Sequence, residues 1–459
     1  MIEESSFRDP DGFIFTHNNK LYRAVTPEYK YTYDHLLNSG LYDRLIKKGY
    51  LISHREVESD DLSLNGMYKI LEPELVNFIS YPYEWSFSQI KDAALLTLDI
   101  QKTALEFGMS LKDASAYNVQ FHKGSPVFID TLSFELYKEN QPWAAYKQFC
   151  QHFLSPIALM SFRDVRLNGL LKNYIDGIPL DLVHKLLPKR TRFNMGILMH
   201  IHLHALAQKK YDSNKIKVSE LNRKFSKTSF FRLLISLKET IEHIKWEPKG
   251  TEWGDYYEPG VHNLKYSEHK KELVTRFIDI VKPRTLWDLG ANTGIYSRIA
   301  NDKNISVITF DIDPACVENS YKQVKESKEQ NVLPILLDLA NPSPSLGWAN
   351  KERKSFTERG SADLIMSLAL IHHLAISNNL PFNKIAQYFS HLSEWLIIEF
   401  VPKEDDKVQI MLKNRPDIFN AYSLDNFEEE FSKYFTIEQK ESIENSKRIL
   451  FLMKRHYDS

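Results

Sequence analysis

The chain has 459 residues and a formal net charge of −1, with 43% apolar and 26% charged residues. The length predicts two or three domains, the composition excludes wholesale disorder, and the balanced charge excludes a strong overall attraction to nucleic acid or acidic membranes. The two cysteines, Cys150 and Cys316, exclude a disulfide framework, and no apolar run is long enough for a transmembrane helix. We therefore expect a cytoplasmic protein.

The first part of the chain predicts short strands around one helix. The runs "GFIF" and "LYRAV" predict two strands that flank a polar turn. The segment "YDHLLNSGLYDRLIKKG" has apolar residues at helical spacing and a Gly stop at Gly49. Strands are predicted again at "YLISHREV" and "YKILEPELVNFIS", and a long helix follows the Ser86 cap in "SFSQIKDAALLTLDIQKTALEFGM".

The next stretch, "LKDASAYNVQFHKGSPVFID", carries three polar residues at informative spacing. Asn118 follows Asp113 by five positions, and Asp130 closes a predicted hairpin with "KGSP" as its turn. Phosphoryl transfer needs a carboxylate near the acceptor hydroxyl and oxygen ligands for Mg²⁺. The alternative is that Asp113 and Asn118 only cap a turn and a helix.

The order of these elements and polar residues resembles kinase-like folds of the aminoglycoside and choline phosphotransferase type. The resemblance covers about the first 200 residues and implies a phosphotransfer site with ATP, in which Asn118 and Asp130 hold Mg²⁺. Leu111 stands where the family has His, no Gly-rich loop is visible, and Arg23 lies near the position of the family's strand Lys. We predict a kinase-like α+β domain over 1–205 and leave its activity open.

A helical, basic connector is predicted over 206–265. The segment from Lys209 to Lys249 is rich in Lys and Arg, which indicates a solvated helix face. The alternative is a basic binding arm, and it is the sole support for an RNA substrate.

The remainder, 266–459, alternates short strands with helices, which predicts a doubly wound, Rossmann-like parallel sheet. The predicted strands are "RTLWDLG", "SVITFDID", "LPILLD", "ADLIMSLAL" and "WLIIEFV", and "RILFLMKR" predicts a final strand at the sheet edge. The chain is thus expected to be an α/β protein with this sheet at its C-terminal end.

The strongest motif is "LWDLGANTGIYSRIA", in which a strand ends at Asp288 and Gly290, Asn292 and Gly294 form a turn before a helix. Asp311 ends the next strand, where a carboxylate can bind ribose hydroxyls. An acid before the first Gly repels a pyrophosphate but attracts a sulfonium and an ammonium group. A dinucleotide site or a purely structural turn remains the alternative.

These residues closely resemble the S-adenosylmethionine site of class I methyltransferases, over roughly Tyr266 to Arg455. The resemblance implies that Asp288 and the glycine turn hold the methionine end of the cofactor and that Asp311 binds its ribose. It also implies that Asp338, in "PILLDL", contacts the adenine amino group.

Candidate catalytic residues follow in the next two strands. His372 and His373, in "SLALIHHLAI", are predicted at a strand's carboxyl end, where a neutral imidazole could accept a proton. The alternative is that they pack or bind the backbone. Glu399, in "IIEFVPKEDD", could orient a substrate hydroxyl or cap a helix.

Across the whole chain, the motifs "FRDPDGFIF", "YPYEWSFSQIKDAALLTL" and "LIHHLAI" resemble a NoeA-like family of bacterial methyltransferases. The resemblance implies methyl transfer, with a saccharide or lipid-linked glycan as one acceptor class. We predict an S-adenosylmethionine-dependent methyltransferase acting on an oxygen or nitrogen of a small molecule or glycan. The alternatives are a bifunctional kinase–methyltransferase, a methyltransferase whose pseudokinase domain binds substrate or a partner, and, with weaker support, an RNA methyltransferase. The sequence leaves the acceptor and the oligomeric state open.

Overall fold

The computed structural model describes residues 2–58, 64, 66–212, 225–248, 264–413 and 416–456. It divides into two compact units, Met1–Glu247 with Ser345–Arg353, and Pro248–Pro344 with Lys354–Ser459. Much of the predicted basic connector, 213–224 and 249–263, lies outside the described residues.

The first unit extends beyond residue 205, where the sequence pattern placed its end. The helix Lys227–His243 belongs to it and packs against the helix Phe87–Glu106. Lys238 Nζ lies 2.7 Å from Asp99 Oδ1 across this contact. Within the predicted basic connector, the helix Lys227–His243 is therefore one member of a packed helix pair.

The strands of the first unit form one four-stranded antiparallel sheet of order β1-β2-β4-β3 and two two-stranded sheets, β5-β8 and β6-β7. Their bounds are β1 Gly12–His17, β2 Lys20–Val25, β3 His54–Val57, β4 Lys69–Pro73, β5 Met109–Leu111, β6 Val119–His122, β7 Ser125–Phe128 and β8 Phe134–Leu136. Two sequence predictions need correction. The strand predicted over "YKILEPELVNFIS" ends at Pro73, and the hairpin turn is Lys123–Gly124, both with left-handed φ, while Ser125 and Pro126 belong to β7.

The helices of the first unit cover most of its remainder. Their bounds are α1 Lys30–Asn38, α2 Leu41–Lys47, α3 Phe87–Glu106, α4 Tyr146–Phe149, α5 Ser155–Phe162, α6 Leu170–Asn173, α7 Leu180–Leu186, α8 Met195–Ile197, α9 His204–Asp212 and α10 Lys227–His243, with π-helical segments at Cys150–Leu154 and Leu198–Leu203. The single helix predicted before Gly49 is two helices, because Gly40 takes φ +83° between α1 and α2. The predicted long helix is α3, and its Ser86 side chain accepts a hydrogen bond from Gln89 N at 3.4 Å.

The second unit contains a seven-stranded sheet of order β11-β10-β9-β12-β13-β15-β14. Its strands are β9 Thr285–Leu289, β10 Ser306–Asp311, β11 Val332–Leu336, β12 Ala362–Ser367, β13 Ser393–Phe400, β14 Phe435–Ser442 and β15 Ile449–Arg455. The strands β11, β10, β9, β12 and β13 are parallel to one another, so their carboxyl ends share one edge of the sheet. The prediction that the final strand lies at the sheet edge is wrong: β15 inserts antiparallel between β13 and β14.

Helices flank this sheet, and apolar residues from its central strands form the core. The helices are α11 Leu264–Val281, α12 Ser297–Asn301, α13 Pro314–Ser327, α14 Phe382–Leu392, α15 Asp406–Leu412 and α16 Leu424–Ser432. Leu286, Val307 and Leu364 of three neighbouring strands join Phe277 of α11 in one buried cluster. Within the described ranges, no helix combines the length and the apolar character needed to cross a bilayer.

Candidate functional site

The turn after β9 has the backbone that its sequence predicts. Gly290, Asn292 and Gly294 have φ values of +74°, +52° and +80°. A Cβ on Gly290 would lie 3.0 Å from Leu370 Cδ1, and one on Gly294 would lie 2.8 Å from Arg298 Nη1. The first glycine therefore permits a close approach on the Leu370 side, and the last makes room for the Arg298 guanidinium.

Asp311, the last residue of β10, ties this turn to the neighbouring strand. Its Oδ2 accepts a hydrogen bond from Asn292 N at 2.7 Å, and its Oδ1 accepts one from Asp313 N at 2.8 Å. Burial raises the pKa of Asp311 to about 6, although the hydrogen bonds from these backbone donors lower it. The carboxyl group is held in place by backbone groups on two sides.

Asp288 lies deeper, on β9, where it pairs with Thr309 of β10. Only 2% of the residue is exposed, and Ser297 Oγ donates to its Oδ2 at 2.5 Å. Burial raises the pKa of Asp288 to about 7, although Ser297 and Lys270 oppose this rise. The residue therefore sits beneath the turn as a carboxyl group that ionises near neutral pH.

A cleft of about 300 Å³ opens at this edge of the sheet. Five of the sequence-predicted residues line it: Gly290, Asn292, Asp311, Asp338 and His373. Four others, Asp288, Gly294, His372 and Glu399, do not belong to its lining. The structure thus brings together residues at the ends of β9, β10, β11 and β12 and in the loops that follow them. They meet because the carboxyl ends of parallel strands lie at one edge of the sheet.

The two histidines do not end a strand, as the sequence predicted, but follow the end of β12 by several residues. β12 ends at Ser367, and His373 begins a π-helical turn that runs to Ser377. Burial lowers the pKa of His373 to about 4, so its imidazole is neutral at pH 7. His372 is 2% exposed, burial holds its pKa well below the ordinary value, and its Nδ1 has no hydrogen-bond partner among the described residues.

Glu399, fully buried at the end of β13, belongs to an internal ion-pair network. It accepts hydrogen bonds from Tyr266 Oη at 2.8 Å, from Lys270 Nζ at 2.5 Å and from Arg448 Nη1 at 3.2 Å. Burial opposes ionisation of Glu399, but the two cations hold its pKa down at about 2. Neither role proposed from the sequence matches this placement, since Glu399 lies outside the cleft lining and Asp405 caps α15.

Sequence reasoning missed Tyr266, Lys270 and Arg448. Tyr266 and Lys270 share one face of α11 because they are four positions apart. Their carboxylate partner, however, lies more than a hundred positions away. A Lys in an amphipathic helix is more often solvated, so no local signal marks Lys270, which is 3% exposed.

In the first unit, Asp130 is joined directly to Arg23. Arg23 Nη1 lies 2.7 Å from Asp130 Oδ1, and Arg23 Nη2 lies 3.1 Å from Asp9 Oδ2. Leu132 N also donates to Asp130 Oδ1 at 3.0 Å, and Ser133 Oγ donates to Oδ2 at 2.5 Å. Both oxygens of the predicted metal ligand are therefore used by protein donors.

Asp113 and Asn118 are hydrogen-bonded to each other and to the surrounding loop. Asp113 Oδ1 accepts from Ser115 N at 2.9 Å, and its carboxylate also bonds the side chains of Asn118 and Gln148. Burial raises the pKa of Asp113. Asn118 Nδ2 donates to Ser133 Oγ at 3.1 Å. In the described part of the chain, no three His, Cys, Asp or Glu side chains cluster as a metal site would require.

Comparison with known proteins points to one relative along the whole chain. No family model matches. The chain is 35% identical to nodulation protein NoeA of Rhizobium meliloti (strain 1021) over 457 residues, which covers 98% of this chain and 95% of the relative.

Solved structures match parts of the chain. Magnesium protoporphyrin IX methyltransferase (ChlM) from Synechocystis PCC 6803, with bound SAH, is 16% identical and covers 44% of this chain and 93% of its own, with a TM-score of 0.31. The bifunctional kinase–methyltransferase WbdD is 13% identical and covers 45% of this chain and 43% of its own, with a TM-score of 0.31.

Proposed function

The chain belongs to the family of the nodulation protein NoeA, and on the geometry of its second unit we propose that it is an S-adenosylmethionine-dependent methyltransferase. The observation that carries the proposal is the cleft in which Gly290, Asn292, Asp311 and Asp338 meet. The acceptor is an oxygen or nitrogen of a small molecule or glycan.

The residues of the cleft fit the cofactor chemically. Asp311 can accept hydrogen bonds from ribose hydroxyls, and the turn at Gly290 lets the backbone approach a ligand closely. Asp338 lines the same cleft, and its Oδ1 accepts from Ala340 N at 2.9 Å, which leaves the other oxygen for an amino group. Asp288 beneath the turn adds negative charge, which favours a cationic ligand over a pyrophosphate.

When bound, S-adenosylmethionine supplies an electrophilic methyl group on a sulfonium. The contribution of the chain is to align donor and acceptor and to receive the acceptor's proton. His373 is the proposed proton acceptor, because it lines the cleft and its low pKa keeps the imidazole neutral at pH 7. His372 and Glu399 lie outside the cleft lining, and we assign them no step in the transfer.

For the first unit we propose a kinase-like fold without phosphoryl transfer, which binds the substrate or a partner. Its four-stranded antiparallel sheet precedes α3, and the β6–β7 hairpin leads to Asp130, in the order of kinase-like folds. The direct Arg23–Asp130 ion pair supports the absence of phosphoryl transfer, because Arg23 already neutralises the carboxylate that would hold Mg²⁺. The bifunctional alternative requires ATP and Mg²⁺ to displace this pair, and no observation favours an RNA substrate.

Two measurements test the methyltransferase proposal. Calorimetry with S-adenosylhomocysteine should show binding to the full chain and at least about tenfold weaker binding to Asp311→Ala. Mass spectrometry of metabolites and glycans, from cells with the chain and with Asp288→Ala, should reveal one acceptor that gains a methyl group with the intact chain alone. Unchanged affinity of Asp311→Ala would reject the site.

A further inference from the structure

The first unit carries an exposed apolar stripe, which we define by Phe193, Met195, Met199, Leu203 and Leu206. These residues begin at the end of a 3₁₀ turn and continue through α8, the following π-helical segment and α9. All five side chains are exposed, Phe193 to 93% and Met195 to 68%. From Met195 onward, successive members are three or four positions apart, so they share one face of the helix. Scattered apolar residues are ordinary on a surface, whereas a contiguous stripe indicates an interaction site.

The inner face of the same helical segment is polar, because it buries two histidines. His200 Nδ1 lies 2.8 Å from Tyr146 Oη, and its Nε2 lies 2.9 Å from Ser236 Oγ. His202 Nε2 lies 2.9 Å from Thr191 Oγ1. An ordinary surface helix turns its apolar side inward, so this polarity is inverted. Rotation of the helix to bury the stripe would break these hydrogen bonds, and the fold therefore keeps the stripe exposed.

Exposed cations lie at the start of the stripe. Lys189, Arg190 and Arg192 belong to the 3₁₀ turn that ends at Phe193, and none of them forms an ion pair with another described residue. The whole chain has a net charge of −1, but its residues 182–211 include six Lys and Arg and no Asp or Glu. The stripe is therefore complementary to a surface that has an apolar interior and anionic groups at its boundary.

From these observations we propose that the first unit docks on an anionic lipid bilayer through this stripe. The helix lies along the bilayer surface, with Phe193 and Met195 among the upper parts of the acyl chains. Lys189, Arg190 and Arg192 contact the anionic headgroups beside them. This attachment is peripheral, and it is independent of the reaction proposed for the second unit.

Two other partners fit the stripe less well. A twofold pair with a second copy would place the stripe against itself, and residues 182–211 offer no acid to the cations of that copy. Nucleic acid would satisfy the cations through its phosphates. It would, however, leave the Met and Leu side chains of the stripe against a charged backbone. A bilayer satisfies both features at once.

Flotation of the full chain tests the role of charge, with vesicles of phosphatidylcholine alone and vesicles that contain about one-third phosphatidylglycerol. The chain should bind the anionic vesicles, and the neutral vesicles at least about tenfold more weakly. Arg190→Gln with Arg192→Gln should weaken binding to the anionic vesicles about tenfold or more. The matched control is Arg44→Gln with Lys47→Gln, which removes two exposed cations of α2 and should retain binding.

Phe193→Ser with Met195→Ser tests the apolar contribution. This variant should bind the anionic vesicles about tenfold or more weakly than the intact chain, because two side chains no longer leave water. Leu75→Ser, at an exposed apolar residue outside the stripe, is the control and should bind as the intact chain does. Urea unfolding should give the same midpoint for all these variants, since each changed side chain is exposed in the folded chain.

Three outcomes would overturn the proposal. The first is equal binding to the two kinds of vesicle, or no binding to either. The second is full binding by Phe193→Ser with Met195→Ser, which would indicate a general polyanion site of the kind that binds nucleic acid. The third is a dimer that forms without lipid in analytical ultracentrifugation and dissociates in this variant, which would assign the stripe to a second copy.

Discussion

Lys270 Nζ lies 2.5 Å from Glu399 Oε2, and both side chains are buried, at 4% and 0% exposure. The same ammonium group lies 4.7 Å from the centre of the Tyr296 ring and lowers the pKa of Asp288 against the effect of burial. Lys270 therefore connects the Glu399 network to the acid beneath the glycine turn. A buried charge of this kind is costly unless it is paired. The ionised forms of both Glu399 and Asp288 are stabilised by the Lys270 ammonium group.

Replacement of Lys270 by Met should destabilise the second unit by about 3 kcal/mol, because Glu399 then keeps a buried charge with fewer donors. Lys303→Met is the matched control, since Lys303 makes a partly exposed pair with Asp279 at 2.6 Å and should cost less than about 1 kcal/mol. Urea unfolding of the full chain measures both. The double variant Lys270→Met with Glu399→Leu should recover part of the loss, and strict additivity would contradict the pairing.

Cofactor binding should strengthen as pH rises from about 5.5 to 8. Burial raises the pKa of Asp288 to about 7 and that of Asp311 to about 6, from 3.8 in the unfolded chain. The folded chain thus holds these protons more tightly than the unfolded chain, so both groups lower the stability of the fold as pH rises from about 4 to 7. Over the same range the two groups become carboxylates, and their negative charge attracts the cationic cofactor.

Calorimetry with S-adenosylmethionine at several pH values tests this dependence. Affinity should rise by up to about tenfold per pH unit for each group below its pKa. Asp288→Asn should bind more weakly at pH 8 and lose the part of the pH dependence that lies near 7. The same slope in this variant would assign the titration to another group.

His373 and His372 should differ in their effects. His373→Gln should reduce the methylated product by about 10²-fold, because it removes the proposed proton acceptor from the cleft, and it should change cofactor affinity much less. His372→Gln is the adjacent control, since His372 is buried outside the cleft lining and should affect stability more than turnover. Product yield by mass spectrometry and cofactor affinity by calorimetry separate the two. Equal loss of product in both variants would contradict His373 as the proton acceptor.

The first unit should show no thermal shift with ATP and Mg²⁺, because Arg23 already neutralises Asp130 at 2.7 Å. Arg23→Met should lower stability by about 1–2 kcal/mol without a change in cofactor affinity, since the pair is about 15% exposed on each side. Arg55→Met, which removes an exposed pair with Glu72, serves as the control. A nucleotide-dependent shift in the intact chain, lost in Asp130→Ala, would favour the bifunctional alternative.

Short-range patterns were sufficient for some of the fold. The spacing of Asp288, Gly290, Asn292 and Gly294 predicts the turn, because positive φ and close approach are demanded within a few residues. The position of β15 was not predictable in this way. Its apolar run predicts a strand, but insertion between β13 and β14 depends on which neighbour pairs with it, and β14 has mostly exposed residues with no strong strand signal.

Local spacing thus predicted the glycine turn, Asp311 at the end of β10 and the motif around Asp130, since each depends on neighbours close in the chain. The pairing of Glu399 with Lys270 and of Asp130 with Arg23 arises from folding, because their partners lie 129 and 107 positions away. A charged side chain has the same sequence signature whether it faces solvent or a buried partner. Burial alone distinguishes the two cases, by making an unpaired charge too costly to retain.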